Sequence, residues 1–202
     1  SLKGEVKVNH EDITVFFPQD AQLVLQQSDR YRTSYEERYS FVKSSEWLSF
    51  NKMAHYPVLA ITSGGTKILM SESDLCDYPA PFFRSNDANG FSSVFPRVPA
   101  IEKPRTDKSN DILLRKPYIA KTQGTRSFPW RYFVIAKDEA ALLTNTMTCR
   151  LAQDSKLEDV SWIHPGQASW EWWNGAIPYG PEVNFKAGLN VETYKYFMDF
   201  AS

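Results

Sequence analysis

The sequence predicts a mainly β protein, in which an antiparallel β-sandwich is followed by the opening strand, loop and helix of a β/α fold. Three observations lead to this fold class. The chain is rich in residues that favour strands, with 13 Phe, 10 Tyr and 6 Trp among 202 residues. Short β-branched and aromatic runs alternate with turn residues over the first two thirds of the chain. After about residue 153 the pattern changes to a strand, a loop and a helix in succession.

The strands of the first domain follow from short apolar runs between turn residues. The clearest signal is Pro57–Met70, where two apolar segments flank Ser63-Gly64-Gly65. Glycine provides the positive φ angles of a tight turn, so this run predicts a β-hairpin. The proline-rich segment Asp77–Pro104 predicts a long ordered loop with one or two short strands. The other predicted strands are Val6–Val8, Ile13–Phe17, Ala21–Gln27, Ile112–Ala120, Trp130–Ala136 and Thr144–Leu151.

A second domain is predicted to begin after a polar linker at residues 153–159. The run Ala168–Trp173 is typical of a strand, and a loop rich in Gly and Pro follows it. Asn190 is a candidate N-cap for a terminal helix whose apolar residues recur at helical spacing and predict one buried face. One strand and one helix cannot close a β/α sheet. We therefore expect a β-sandwich domain over residues 1–155 and only the start of a second domain over residues 156–202.

Composition excludes several classes of function. Lys and Arg number 23 against 24 Asp and Glu, so no basic excess favours nucleic acid as a partner. No apolar run approaches the ~20 residues of a membrane span. No leader opens the chain, so we expect any export signal to have been removed or to lie outside this sequence. Cys76 and Cys149 are predicted to be free, buried thiols, and three scattered histidines do not predict a transition-metal centre.

Longer motifs add a resemblance to a known family. Residues 161–175 (SWIHPGQASWEWWNG) and 184–202 (NFKAGLNVETYKYFMDFAS) resemble the beginning of the catalytic barrel of glycoside hydrolase family 97. His164 and Glu171 stand where the family pattern has Lys and Asp. Shorter matching motifs extend the resemblance from about Thr33 to Ala201. They are Tyr35-Glu36-Glu37, Glu72 with Asp77-Tyr78-Pro79, and Phe128-Pro129-Trp130-Arg131.

The resemblance implies a β-sandwich of the super-sandwich type packed on a (β/α)8 barrel, with calcium at the active site. It implies an exo-acting α-glucosidase or α-galactosidase that works on α-linked oligosaccharides in the periplasm or outside the cell. The N-terminal domain of the family is longer, so we expect this chain to lack its first strands. Glycoside hydrolysis requires a pair of carboxylates. We expect those residues beyond Ser202, and no catalytic residue is assigned in this chain.

Glu72 is the candidate metal ligand that the resemblance indicates. It comes just after a predicted strand, at the position of a family glutamate that reaches from the sandwich to the calcium, and calcium prefers oxygen ligands. The alternative is an exposed loop glutamate. Asp77 is expected to stabilise the turn before Tyr78-Pro79. Arg131 could hold a carboxylate across the seam between sandwich and barrel, although a structural role is preferred.

Glu171 and Trp173 are the candidate substrate-binding residues. Alternation along the strand Ala168–Trp173 places these two side chains on one face, which we expect to point into the barrel lumen. Trp173 would then lie at the carboxyl end of the strand, where barrel active sites are found, and its indole could stack on a sugar ring. The alternatives are core packing for Trp173 and an ion pair in the lumen for Glu171.

Two other interpretations remain open at this stage. One is a non-catalytic β-sandwich that binds carbohydrate through exposed aromatic side chains. The other is an inactive fragment, in which a truncated barrel segment leaves Trp170, Trp172, Phe197 and Met198 exposed. Such a fragment is predicted to associate with the missing remainder of the barrel or with itself.

Overall fold

The computed structural model describes residues 2–18, 20–47, 52–86, 90–106, 109–168 and 177–201. These residues form two compact units, Ser1–Asp154 and Ser155–Ser202. In chain order the strands are β1 (Glu5–Val8), β2 (Thr14–Phe16), β3 (Gln22–Ser28), β4 (Tyr39–Lys43), β5 (Met53–Ile61), β6 (Lys67–Ser73), β7 (Phe82–Asn86), β8 (Gly90–Val94), β9 (Pro99–Thr106), β10 (Ser109–Arg115), β11 (Ala120–Gln123) and β12 (Trp130–Ala136). The helices are α1 (Ser44–Trp47), α2 (Glu139–Leu143), α3 (Met147–Leu151) and α4 (Val191–Ala201). The predicted mainly β, antiparallel fold class is confirmed.

The central strand of the first unit is β5, which divides its pairing between two neighbours. Its residues Val58–Ile61 pair with β6, and Ala54 and His55 pair with β7. On its other edge β5 pairs with β3, and β3 continues to β4. One branch then runs from β6 to β12, and the other runs from β7 through β8 to β2. Every pairing is antiparallel, as an alternating pattern of buried and exposed residues predicts.

The core of the first unit is a cluster of buried side chains from α1 and from strands of both branches of the main sheet. Trp47 of α1 meets the ring of Phe91 edge-on, with centroids 4.5 Å apart, and Phe17 meets Phe91 at 4.9 Å. Leu25 and Val58 add fully buried aliphatic side chains from the central strands. Burial of this kind contributes roughly 1.5–3 kcal/mol per large side chain, so this cluster is the main source of stability for the sheet.

Two smaller sheets flank the main sheet. Strand β1 pairs with β11, and β9 pairs with β10 in a hairpin that pairs with no other described strand. A second apolar cluster, made of Tyr78, Phe95, Ile119 and Ala120, packs beside β1 and β11.

The predicted hairpin at Pro57–Met70 is confirmed. Val58 pairs with Met70 and Ile61 pairs with Lys67, and the turn between the strands is closed by a 2.9 Å hydrogen bond from the Gly65 amide to the Thr62 carbonyl. Gly65 has a φ of 82°, the left-handed conformation for which glycine is suited.

The predicted strand Thr144–Leu151 is wrong, because the structure has helical turns in this segment. Asp138 caps α2 by accepting a 2.9 Å hydrogen bond from the Ala141 amide. The side chain of Asn145 accepts a 2.9 Å hydrogen bond from the Met147 amide at the start of α3. These local side-chain contacts satisfy the backbone without a strand partner, so the alternating apolar pattern does not decide the conformation.

The second unit contains the predicted terminal helix, α4. The Asn190 side chain accepts a 2.9 Å hydrogen bond from the Thr193 amide, which confirms the predicted N-cap. The predicted buried face is not covered, however, since Met198 is 63% exposed and Thr193 is the buried residue of the helix. Most of the predicted strand Ala168–Trp173 lies outside the described residues.

Two further predictions concern the cysteines and membrane spans. Cys76 and Cys149 are free, as predicted, but both are exposed rather than buried. They lie in short connecting and helical segments at the surface instead of in the core. In the described part of the chain, no helix has the length and apolar character that crossing a membrane requires.

Candidate functional site

Glu72 lies near the end of β6, directly opposite Arg131 of β12. The sequence suggested a loop position, but β6 extends to Ser73, so Glu72 is a strand residue. Met70, two positions earlier, faces the core, and side chains two apart in a strand share a face. Glu72 therefore closes the end of the core, and its side chain is only 12% exposed. This burial contradicts the alternative of an exposed loop glutamate.

Arg131 binds two carboxylates. Its Nη1 donates to Oε2 of Glu72 at 2.5 Å, and its Nε donates to Oε1 of Glu11 at 3.3 Å. Glu11 comes from the segment before β2, which Ser93 holds in place by donating to the Glu11 carbonyl and accepting from the Ile13 amide. Nη2 of Arg131 is buried and has no hydrogen-bond partner among the described residues. The guanidinium thus stands between two acidic groups with one donor unused.

Two tyrosines complete this arrangement, which we call the Glu72 cluster: Glu11, Tyr56, Glu72, Tyr78 and Arg131. Tyr78 is buried, and the charge of Glu11 acts on its hydroxyl group. Tyr56 packs against the main core, and the charges of Glu72, Glu11 and Arg131 all act on it. Five separate segments of the first unit therefore bring their polar groups to one partly buried place.

Burial dominates the electrostatics of the cluster. It raises the pKa of Glu72 to about 7, with Glu11 adding to the rise and Arg131 opposing it. Burial also raises the pKa of Tyr78 to about 12, with a further contribution from the charge and hydrogen bond of Glu11. The pKa of Tyr56 is raised mainly by burial. Because burial raises the pKa of Glu72 to about 7, neutral pH lies near the midpoint of the titration of this carboxyl group.

The cluster has the chemistry of a ligand donor rather than of a complete active site. Glu11 and Glu72 cannot flank a scissile bond, because the Arg131 side chain fills the space between them. In the described ranges, no group of three or more His, Cys, Asp or Glu side chains is arranged to hold a metal ion. Calcium takes six to eight oxygen ligands, so these residues alone do not make a calcium site. A calcium site that included Glu72 would need most of its ligands from other residues.

The other predicted site residues, Glu171 and Trp173, lie outside the described residues, so their roles stay predictions. Asp77 lies in the turn before Tyr78 with a φ of 48°, a left-handed conformation that Asp tolerates. Sequence reasoning missed Glu11, Tyr56 and Tyr78 as partners of Glu72. Tyr78 had a signal, since it stands in a motif shared with the family, but nothing near Glu11 marks it as an arginine ligand.

Comparison with known proteins identifies the class to which this fold and site belong. Residues 1–153 match the family described as "Glycosyl-hydrolase 97 N-terminal". The chain therefore belongs to glycoside hydrolase family 97. It is 32% identical over 178 residues to a retaining α-galactosidase of Bacteroides thetaiotaomicron, a match that covers 87% of this chain and 26% of that protein. It is 39% identical over 67 residues to a probable retaining α-galactosidase of Streptomyces bingchenggensis, covering 33% of this chain and 10% of that protein.

Solved structures support the same fold. A glycoside hydrolase family 97 enzyme from Pseudoalteromonas sp., determined in complex with acarbose, superposes with a TM-score of 0.65 at 23% identity. That match covers 91% of this chain and 25% of the other. A variant of a family 97 enzyme from the same source gives a TM-score of 0.69, again at 23% identity, over 98% of this chain and 27% of the other. The chain thus spans about a quarter of the length of the Bacteroides α-galactosidase and of the two Pseudoalteromonas enzymes.

Proposed function

We propose that the protein containing this chain is an exo-acting glycoside hydrolase that releases glucose or galactose from α-linked oligosaccharides. The observation that carries the proposal is the 32% identity to a retaining α-galactosidase over 87% of the chain. The acarbose complex of the Pseudoalteromonas enzyme supports recognition of a sugar-like ligand within the family. The two carboxylates that hydrolysis needs are proposed to lie in parts of the protein outside this chain, which spans 26% of the length of that α-galactosidase.

Within this proposal, Glu72 supplies one oxygen ligand to a calcium ion. Its carboxyl group is fixed by β6, largely withdrawn from water, and already held by a cation in the form of Arg131. When bound, the metal would provide positive charge close to the reacting sugar. The task of this chain's residues is to hold Glu72 in place for the metal. Arg131 orients Glu72, and Glu11 and Tyr78 in turn hold Arg131. Glu171 and Trp173 remain the residues proposed to contact the sugar.

The test is an assay of the complete gene product on p-nitrophenyl α-galactoside and p-nitrophenyl α-glucoside, with calcium and with a chelator. Cleavage of either compound, lost in chelator and restored by calcium, is the expected result. Glu72→Gln should weaken calcium binding in a calorimetric titration, which reports on the ligand independently of turnover. Glu139→Gln is the matched control, because Glu139 is an exposed carboxylate near the start of α2.

Failure of the assay would point to a different function. If the protein cleaves neither compound but still binds oligosaccharides, the non-catalytic carbohydrate-binding interpretation replaces the enzyme. If it cleaves one of them with equal rates in calcium and chelator, the hydrolase proposal holds and the metal role of Glu72 is wrong. A periplasmic or extracellular location is part of the proposal, and fractionation of the producing cells would test it.

A further inference from the structure

A groove of about 610 Å³ lies beside the Glu72 cluster, within the first unit. We call it the Tyr35 groove. Its walls come from the segment after β3, the segment before β7, the β9–β10 hairpin and β11. Aliphatic and proline side chains make up about half of the lining, and most of the remainder is aromatic or cationic, including Tyr31, Tyr35, Tyr78, Phe82, Arg97 and Arg115. The volume falls within the range of about 300–1,000 Å³ that is usual for small-molecule sites.

The walls of the Tyr35 groove are held in place by contacts among themselves. The Tyr31 ring meets Phe82 edge-on at 5.2 Å, and the guanidinium of Arg115 lies 5.8 Å from the centre of the Tyr31 ring. Nη1 of Arg115 also donates to the Arg97 carbonyl at 2.5 Å. A ligand would therefore meet a largely preformed surface, which lowers the entropic cost of binding.

Tyr35 is the most exposed aromatic side chain of the groove, at 53%. Its backbone has a φ of 60°, an uncommon conformation for a bulky residue, and its amide donates to the Thr33 hydroxyl at 3.1 Å. Non-glycine residues with such angles are concentrated at functional sites. The local hydrogen bond and the turn conformation keep a large ring at the mouth of the groove instead of in the core.

A buried polar group without a partner lies behind this ring. His55 is 3% exposed and meets Tyr35 edge-on at 4.8 Å, and its Nδ1 lies 3.1 Å from the Tyr56 carbonyl. Its Nε2 has no hydrogen-bond partner in the part of the chain that the structure describes. Buried polar atoms are nearly always paired, so this one favours an internal water molecule behind the wall that Tyr35 forms.

The groove is connected to the Glu72 cluster through Tyr78, which belongs to both. Its ring lines the groove, and the charge of Glu11 in the cluster acts on its hydroxyl group. An exo-acting hydrolase holds the terminal sugar at its reacting centre, so the rest of the substrate must extend away from that centre along an adjoining surface.

We propose that the Tyr35 groove binds the sugar units on the leaving-group side of a neutral oligosaccharide. This inference rests on the proposed hydrolase function and specifies the class of its substrate, chains of three or more sugars. Tyr31 and Tyr35 present aromatic surface to the C–H faces of the sugars, and the arginine side chains donate to hydroxyl oxygens. Tyr31 and Tyr35 are binding residues in this scheme and take no part in bond cleavage.

The experiment compares two substrates of the complete gene product. One is the p-nitrophenyl glycoside that it cleaves, and the other is a tetrasaccharide with the same terminal sugar and linkage. Tyr31→Ala and Tyr35→Ala are expected to lower kcat/KM for the tetrasaccharide by about three- to tenfold, through KM, and to lower it less for the p-nitrophenyl glycoside, whose leaving group fills only the first position on that side. Phe41→Ala is the matched control, because Phe41 is an aromatic residue of β4, 67% exposed, that does not line the groove.

Three results would overturn the proposal. Unchanged kinetics on both substrates would show that the groove holds no sugar. Equal losses on both substrates, together with a lower Tm, would show that the groove is a packing surface. Calorimetric titration of the tetrasaccharide covers the case in which the protein hydrolyses nothing. If the tetrasaccharide then binds and Tyr31→Ala weakens that binding, the groove is a sugar site and only the hydrolase proposal fails. If the tetrasaccharide does not bind, both proposals are refuted.

Discussion

The raised pKa of Glu72 predicts how the stability of the calcium-free chain depends on pH. Burial moves this pKa from 4.5 to about 7, so the folded chain binds the proton more tightly than the unfolded chain does. The contribution of Glu72 to stability is therefore fully present below the unfolded pKa and is lost as pH rises through the folded pKa. A difference of about 2.5 units at about 1.36 kcal/mol each gives a loss of about 3 kcal/mol between about pH 4.5 and 7.5.

Urea unfolding of the 202-residue chain in chelator, followed by circular dichroism, measures this effect. Between about pH 4.5 and 7.5, the free energy of unfolding of the wild type should fall by about 3 kcal/mol more than that of Glu72→Gln, since an amide does not titrate. Glu139→Gln provides the control. The pKa of Glu139 is lowered by backbone and Lys67 contacts, so its small contribution changes in the acid range, below the window used here. The Glu139→Gln curve should parallel the wild type above about pH 5.

The reasoning would be refuted by parallel curves for the wild type and Glu72→Gln across the whole range. Such a result would mean that Arg131 offsets the burial of Glu72 completely, and that the carboxylate is ionised in the folded chain well below neutral pH. It would also mean that the buried Arg131–Glu72 pair at 2.5 Å stabilises the fold, because the attraction between the two charges exceeds the cost of removing them from water.

Three further predictions follow from single contacts. Arg131→Met should lower the free energy of unfolding by about 1–3 kcal/mol at about pH 8 in urea titrations, because it leaves two carboxylates without their cation. The control is Arg32→Met, which breaks an exposed ion pair and should lower the free energy of unfolding by less than about 1 kcal/mol. Gly90→Ala should prevent normal pairing of β2 and β8, since the added methyl group would overlap the Val15 carbonyl. A Tm lowered by about 5 °C or less would contradict this, because about 2–4 °C corresponds to about 1 kcal/mol in a chain of this size. Asn190→Ala should weaken the start of α4 by about 1 kcal/mol, seen as roughly fivefold faster hydrogen exchange of the first amides of the helix.

The elements that could be predicted from the sequence are those specified by local chemistry. The hairpin at Pro57–Met70 follows from two apolar runs around glycines, and the N-cap at Asn190 follows from one side chain near its own helix. The segment Thr144–Leu151 shows the limit of this approach. Its alternation suits a strand, but Asp138 and Asn145 cap short helical turns, and no neighbouring strand edge pairs with it.

The site was predictable only in part, because it depends on contacts between distant segments. Glu72 stood out through its motif, and Arg131 was considered as a carboxylate ligand, but their pairing depends on the register of β12 against β6. Glu11 lies 120 positions before Arg131, and no local pattern connects them. The Tyr35 groove is harder still to foresee, since its walls come from at least four segments that only the folded sheet brings together.

The divided pairing of β5 has a consequence for how this domain can change in evolution. One half of the strand sets the register of β6, which carries Glu72, and the other half sets β7, which carries Phe82 in the groove. An insertion in β5 would displace both at once, so this strand has little freedom to vary. The β9–β10 hairpin pairs only with itself among the described strands, yet it forms part of the groove wall. Changes in its length could remodel the groove without moving Glu72, so the hairpin is where new preferences for substrate length can arise at little cost to stability.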